Sequence, residues 1–362
     1  MKPTVISGES RVFRALDGVK LLHPYQQIIS VYSFDKNGEK IDYRLGQDWI
    51  ATDGLIVRTA DSRIPDLSNY KYSTSTACSL RFFSLACVRS LFQCGTRNGP
   101  CWRYADDDPI KNSFQFSADP RNPPLTIEYN VYVDYISLQR ERMVPARALL
   151  TKNNLNVICI GDSIAAGSHT IDNFYFHRDS ESWCGLLRSH LGGRSAVHNE
   201  AVPSGELKPL KGNLPRYLAN RPDIVIIAFG MNDHLAGAAG LPAFSAALNE
   251  VVGKLLTNNV KVILVGFFQQ NKLWIREDTA QSVAYNTAIE AIASKHAVPF
   301  IDIYKAFQRA TPGFEPYHHL TADFMHHPTS YGQRIYFSML VPYFLHRDTV
   351  ANNIAGYVIG DW

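Results

Sequence analysis

The chain has 362 residues, 46% of them hydrophobic and 19% charged, and its 36 basic and 33 acidic side chains leave a formal net charge of +3. That balance excludes a disordered or fibrous chain, and the lack of any block of like charge argues against nucleic acid as a partner. The length exceeds what one core usually serves, so two domains are expected.

No apolar run is read as approaching the roughly 18 residues that span a bilayer, and the opening MKPTVISGES lacks the apolar centre of a signal peptide. No membrane span is therefore expected, and a place inside the cell is expected unless a leader has been removed. The six cysteines, Cys78, Cys87, Cys94, Cys101, Cys159 and Cys184, are too few for a disulfide-dependent fold and lack the CxxC spacing of a zinc site. Buried free thiols are one reading of them; a Cys94–Cys101 clasp in an exported protein is the other.

Residues 1 to about 150 read as short strands between Gly, Pro, Asn and Asp turns. QQIISVYSF, WIATDGLIVRT, SLRFFSLACV, SFQFSA and LTIEYNVYVDYISLQ partly alternate apolar and polar residues, and few stretches carry a helical period. An all-β, jelly-roll-like sandwich is expected over 1–150. A segment near 138–155 is expected to be an exposed linker.

After RERMVPARALLTKNN the pattern changes. NVICIG, SAVHNEAV, DIVIIAFG, KVILVGFF and VPFIDI are nearly continuous apolar runs, as parallel strands covered on both faces should be. Between and after them, ESWCGLLRSHL, LKGNLPRYLAN, LPAFSAALNEVVGKLLTNN, TAQSVAYNTAIEAIASKH and SYGQRIYFSMLVPYFLHR read as amphipathic helices. The expectation over 151–362 is a three-layer α/β/α domain with a parallel sheet. Ligands of such sheets sit outside the carboxyl ends of the strands, so residues that follow strands carry the functional weight.

The first strand runs into Gly161-Asp162-Ser163. A serine hydroxyl needs a positioned base to become a nucleophile, and Ser163 alone serves equally as a helix N-cap. The second strand is followed by Asn199, Ser204 and Gly205, where a glycine lets a backbone N–H approach a ligand closely; a plain turn has the same look. The third runs into Gly230-Met231-Asn232-Asp233, where the Asn232 amide can donate to a developing oxyanion without adding charge. Before the last helix stands TADFMHHPTSYG, with Asp323, His326, His327 and Pro328. Histidine is the usual base near neutral pH, and a preceding carboxylate can orient its ring.

Four such signals in this order resemble the SGNH, or GDSL, hydrolase superfamily over about residues 155–345. The resemblance implies that Ser163 is the nucleophile. It also implies that the Ser163 N–H, the Gly205 N–H and the Asn232 side chain form the oxyanion hole. His327 is implied as the general base, because His327-Pro328 and Gly332 reproduce the H-P-x-x-x-G spacing of the family. Two departures stand out. Ala201 replaces the first glycine of the N-x-G-x-x-G block and Pro203 shifts the second to Gly205. The family acid lies three residues before its histidine, which pairs Asp323 with His326 as an alternative base; an inserted residue lets Asp323 support His327 instead.

The resemblance further implies an ester hydrolase that works through an acyl-serine and needs no cofactor. A β-rich domain joined to such a domain resembles two-domain carbohydrate acetyl esterases, so an O-acetylated carbohydrate is the expected substrate and a small-molecule or glycan ester the expected partner. An O-acyltransferase, a short-chain lipase or esterase, and a glycan-binding protein with a vestigial hydrolase half are the alternatives. A metal site on His318, His319, His326 and His327 lacks a helical HExxH, and no metal is expected. GxSxG, Walker A and GxGxxG motifs are absent from the sequence.

Overall fold

The computed structural model describes residues 3–66, 131–140, 148–168, 182–270, 278–311, 316, 320, 321 and 326–344, apart from 12, 14, 15, 17, 36–38, 151 and 153. The strands expected in SLRFFSLACV and SFQFSA lie outside these residues, as do Cys78, Cys87, Cys94, Cys101, His318, His319 and Asp323.

The first half forms two antiparallel sheets. One has the order β1-β7-β3-β4, built from β1 (Pro3–Arg11), β3 (Tyr25–Phe34), β4 (Lys40–Tyr43) and β7 (Val131–Arg140). The other has the order β2-β6-β5, from β2 (Val19–Lys20), β5 (Trp49–Thr52) and β6 (Leu55–Arg58). WIATDGLIVRT is thus two strands rather than one. Asp53 and Gly54 take φ of 51° and 77°, the double positive φ that a two-residue hairpin loop needs and that Asp-Gly tolerates best. The segment MKPTVISGES, not expected as a strand, supplies β1 by pairing with β7.

The second half holds a five-stranded parallel sheet of order β12-β11-β10-β8-β9. Its strands are β8 (Asn156–Gly161), β9 (Ala196–Asn199), β10 (Ile224–Ala228), β11 (Lys261–Val265) and β12 (Phe300–Ile301). Val157 to Cys159, Ile224 to Ile226 and Val262 to Val265 are almost fully buried, which accounts for their unbroken apolar runs. The helices are α1 (Trp183–Leu191), α2 (Leu210–Ala219), α3 (Gly237–Thr257), α4 (Thr279–Lys295), α5 (Ile303–Ala310) and α6 (Ser330–Leu340). α2, α3 and α4 pack in series, while α6 packs against α1 and α5, giving two helical groups around one sheet. The chain leaves β8 for the edge strand β9 and then returns to β10 on the other side of β8. This reversal makes the carboxyl ends of β8 and β10 the topological switch point.

Contrary to the sequence expectation, one described helical stretch, Asp233–Thr257, is long and apolar enough to cross a membrane, with mean hydropathy 1.3. Its Ala- and Leu-rich composition explains this, and here Phe244, Leu248, Val251, Val252 and Leu255 of α3 are buried in the core.

The two halves touch. β1 packs against α6, the His23 Nε2 lies 3.1 Å from the Tyr331 hydroxyl, and one contiguous cluster of buried side chains runs from Ile6 and Tyr135 into the parallel sheet.

Candidate active site

β8 ends at Gly161, where a Cβ would meet the Ala228 carbonyl at 2.7 Å and the Ala165 Cβ at 2.8 Å. A glycine is therefore required for the next turn to fold back on the sheet. That turn is held from within: the Asp162 Oδ1 accepts from the Ile164 N–H at 2.9 Å, the Ala166 N–H reaches the Asp162 carbonyl at 3.0 Å, and the Ser168 N–H reaches the Ser163 carbonyl at 2.9 Å. Burial pushes the Asp162 carboxyl up to about 7; its backbone N–H partner at Ile164 and the nearby His327 oppose the rise, and Asp233 adds to it. From β9, the Asn199 Nδ2 donates to the Ala165 carbonyl at 2.8 Å while its Oδ1 accepts from Ala201 at 3.1 Å. The second loop is thereby tied to the turn that carries Ser163.

Gly205 sits against the end of β8, its Cβ position 3.0 Å from the Gly161 carbonyl. Its N–H, expected at the oxyanion hole, instead donates to the Val202 carbonyl at 2.8 Å. Pro203 and Ser204, the latter at φ 58°, fold the loop into a tight turn that takes up this donor. The Ser163 N–H makes no backbone hydrogen bond among the described residues. The Asn232 Nδ2 donates to the Gly205 carbonyl at 3.0 Å, and a primary amide keeps a second hydrogen for another acceptor.

Sequence reasoning took Asp233 as part of a turn, but the structure gives it a joining role. Its Oδ1 accepts from the Leu207 N–H at 2.9 Å and its Oδ2 from the Gly230 N–H at 3.1 Å, which locks the second and third loops together. Burial raises its carboxyl to about 6. Gly230 takes φ 126° and a Cβ there would run into the Phe267 ring, so only glycine allows the chain to turn into Asn232.

His327 reaches the site from the other direction. The Thr329 N–H donates to the Leu320 carbonyl at 2.8 Å, and the Thr329 Oγ1 caps α6 by accepting from the Gly332 N–H at 3.2 Å. A Cβ on Gly332 would meet the Leu320 carbonyl at 2.7 Å and the Pro328 Cβ at 2.8 Å, which is the physical content of the H-P-x-x-x-G spacing. With the helix start held this way, the His327 Nε2 lies 2.9 Å from the Ser163 Oγ, and both residues are buried. The His326 ring packs on the His327 ring with centroids 4.1 Å apart.

The structure thus brings Ser163, Asn232, Gly205 and His327 to the carboxyl ends of β8, β9 and β10, while Asp323 falls outside the described residues. Gln333, missed by sequence reasoning, joins the site through the Ile164 carbonyl; a Gln-Arg pair on a helix carries no local sign of such a contact. Among the described residues no group of three or more His, Cys, Asp or Glu side chains is placed to hold a metal ion. A serine hydroxyl facing an imidazole nitrogen in a buried site is the arrangement of a base-activated nucleophile.

Residues 159–335 match the GDSL-like Lipase/Acylhydrolase family. Among solved structures, the chain is similar to TesA, with 23% identity, 52% of this chain and 97% of that chain covered and a TM-score of 0.42. It is likewise similar to LAE5, an alpha/beta hydrolase enzyme from the metagenome of Lake Arreo, Spain, with 20% identity, coverages of 55% and 98% and a TM-score of 0.44. A third is a variant of Axe2, an acetyl-xylooligosaccharide esterase from Geobacillus, with 20% identity, coverages of 56% and 97% and a TM-score of 0.43. No curated protein matches the chain. The region that holds Ser163, Gly205, Asn232 and His327 is a GDSL-like lipase/acylhydrolase domain.

Proposed function

We propose that the chain is a serine ester hydrolase that removes acetyl groups from an O-acetylated carbohydrate. The observation that carries the ester-hydrolase part is the 2.9 Å contact between the His327 Nε2 and the Ser163 Oγ inside the family-matched region. The Ser163 Oγ attacks the ester carbonyl and its proton passes to the His327 Nε2. Negative charge then develops on the carbonyl oxygen, where the Ser163 N–H and the second hydrogen of the Asn232 amide are the available donors. The bond to the alcohol oxygen breaks as His327 returns the proton to the leaving alcohol. Water repeats the sequence on the acyl-serine to release the acid. Asp323 is the proposed partner of the imidazole.

The acetyl preference rests on packing. Ile164, Ala165 and Ala166, which follow the nucleophile, are buried in the turn itself, so these side chains offer no exposed apolar surface to a long acyl chain. The β-rich first half is the proposed contributor to glycan recognition.

Chromogenic acetyl and octanoyl esters, followed by acetate release from acetylated glycans, test the reading. Acetyl turnover should exceed octanoyl turnover, and Ser163→Ala and His327→Ala should each lower kcat by up to about 10⁶-fold, while His326→Ala retains most activity. A dead His326→Ala beside an active His327→Ala would transfer the base to His326. Full activity in Ser163→Ala would end the acyl-serine mechanism.

A further inference from the structure

We infer that Gln333 is a positioning residue for the Ser163–His327 pair, a claim that rests on the serine-hydrolase reading above. Gln333 lies in the first turn of α6, the helix that begins just after His327, and its side chain is completely buried. Its carboxamide bridges two backbone groups from separate segments. The Nε2 donates to the Ile164 carbonyl at 3.0 Å, and the Oε1 accepts from the Trp183 N–H at 3.0 Å.

The chemistry of these neighbours selects the side chain. A backbone carbonyl can only accept and a backbone N–H can only donate, so the amide has one workable orientation. A carboxylate of the same length lacks the donor, an ammonium lacks the acceptor, and an asparagine is one methylene short of spanning both.

Each contact also meets a local need. Trp183 opens α1, and its N–H is among the first helical donors that find no partner within their own helix. The Ser182 Oγ takes the Gly185 N–H at 3.0 Å, and Gln333 takes that of Trp183. Ile164 is the residue after Ser163, so the other contact holds the Ile164–Ala165 peptide unit in the turn that carries the nucleophile. One side chain on the helix of the base therefore grips the turn of the nucleophile and the start of α1 together. Without it, the Ile164 carbonyl keeps only the Gly167 N–H at 3.2 Å, the Trp183 N–H loses its side-chain acceptor, and both residues are at most 3% exposed, so the turn and the helix start relax apart to recover the lost partner. A shift of about 1 Å at reacting atoms costs on the order of 10²-fold in rate.

The test compares wild type with Gln333→Met, which keeps length and loses both polar contacts, and Gln333→Glu, which loses only the donor. Steady-state hydrolysis of an acetyl ester, labelling of Ser163 by a fluorophosphonate and thermal unfolding are measured on the full chain. In both variants kcat and the labelling rate should fall by about 10²-fold with KM changed by less than about threefold, at temperatures where circular dichroism shows the fold intact. Retention of kcat within about twofold in a folded Gln333→Met, or a loss confined to KM, would overturn the proposal. If wild type itself is neither labelled nor active, the serine-hydrolase reading fails separately. Amide exchange of the 162–168 peptide then decides the positioning claim: faster exchange in Gln333→Met at equal global stability supports it, and unchanged exchange refutes it.

Discussion

Asp162 stands beside the proposed nucleophile with a carboxyl that burial holds at about 7 rather than near 3.8. The folded chain therefore binds this proton more tightly than the unfolded chain. The stability that Asp162 contributes is complete below about pH 4 and is lost as pH rises through about 7. Asp233 follows the same sign with a folded value of about 6. Asp162→Asn keeps the group neutral and can still accept from the Ile164 N–H. Urea midpoints should therefore fall for wild type relative to Asp162→Asn between about pH 4 and pH 7. Parallel midpoints across that range would show an ordinary carboxylate. Ser163 and His327 stood out through the order of four motifs that resembles the hydrolase family, and the structure sets them 2.9 Å apart. Asp233 and Gln333 did not, because their roles lie in contacts to backbone groups of remote segments, Leu207 for the one and Ile164 and Trp183 for the other.

At the scale of elements, α6 is aimed by its first turn, and Gly332 controls how closely that turn approaches the 320 segment. Gly332→Ala inserts a methyl 2.7 Å from the Leu320 carbonyl and 2.8 Å from the Pro328 Cβ, and two of the three neighbours are backbone or ring atoms that cannot rotate away. The expected cost is about 1–3 kcal/mol in urea unfolding, with a loss of turnover because the same displacement moves His327. Wild-type stability together with wild-type kcat would mean that the helix start is plastic. The long parallel strands were readable from unbroken apolar runs, since burial on both faces leaves no polar alternation. α5 was hidden behind VPFIDI. Ile303, Ala306, Phe307 and Ala310 repeat at helical spacing and are buried, and the Asp302 side chain caps the Lys305 N–H at 2.9 Å, but the preceding apolar run absorbs their start into a strand. β1 was unreadable for another reason: its pairing partner β7 lies more than a hundred residues away.

Across the whole molecule, the halves expected at 1–150 and 151–362 are joined by more than a linker. The Leu149 N–H donates to the Tyr343 carbonyl at 2.9 Å, Lys152 pairs with Asp223, and Leu149 and Leu150 pack on the common core. Of the expected linker, residues 138–140 thus belong to β7 of the first sheet, while Leu149, Leu150 and Lys152 are anchored to the hydrolase half, and the first sheet reaches the helix of the proposed base. Glu9 of β1 is fully buried. It pairs with Arg11, accepts from the Tyr135 hydroxyl and accepts from the Leu22 N–H at 2.9 Å. Burial raises the Glu9 carboxyl against the pull of Arg11. Next to this pair, burial with help from Arg11 lowers His23 to about 4, so at neutral pH an uncharged ring meets the Tyr331 hydroxyl on α6. Removing one member of a buried ion pair leaves the other charge without compensation, a loss of about 3–5 kcal/mol. Glu9→Ala should accordingly lower the urea midpoint of the whole chain, not of the first sheet alone. Esterase activity and tryptophan fluorescence should then disappear together in one transition, because the core is continuous and α6 loses its support when the sheet opens. If activity instead survives to the wild-type midpoint while part of the fluorescence change moves to lower urea, the halves are independent folding units and the sheet does not brace the site.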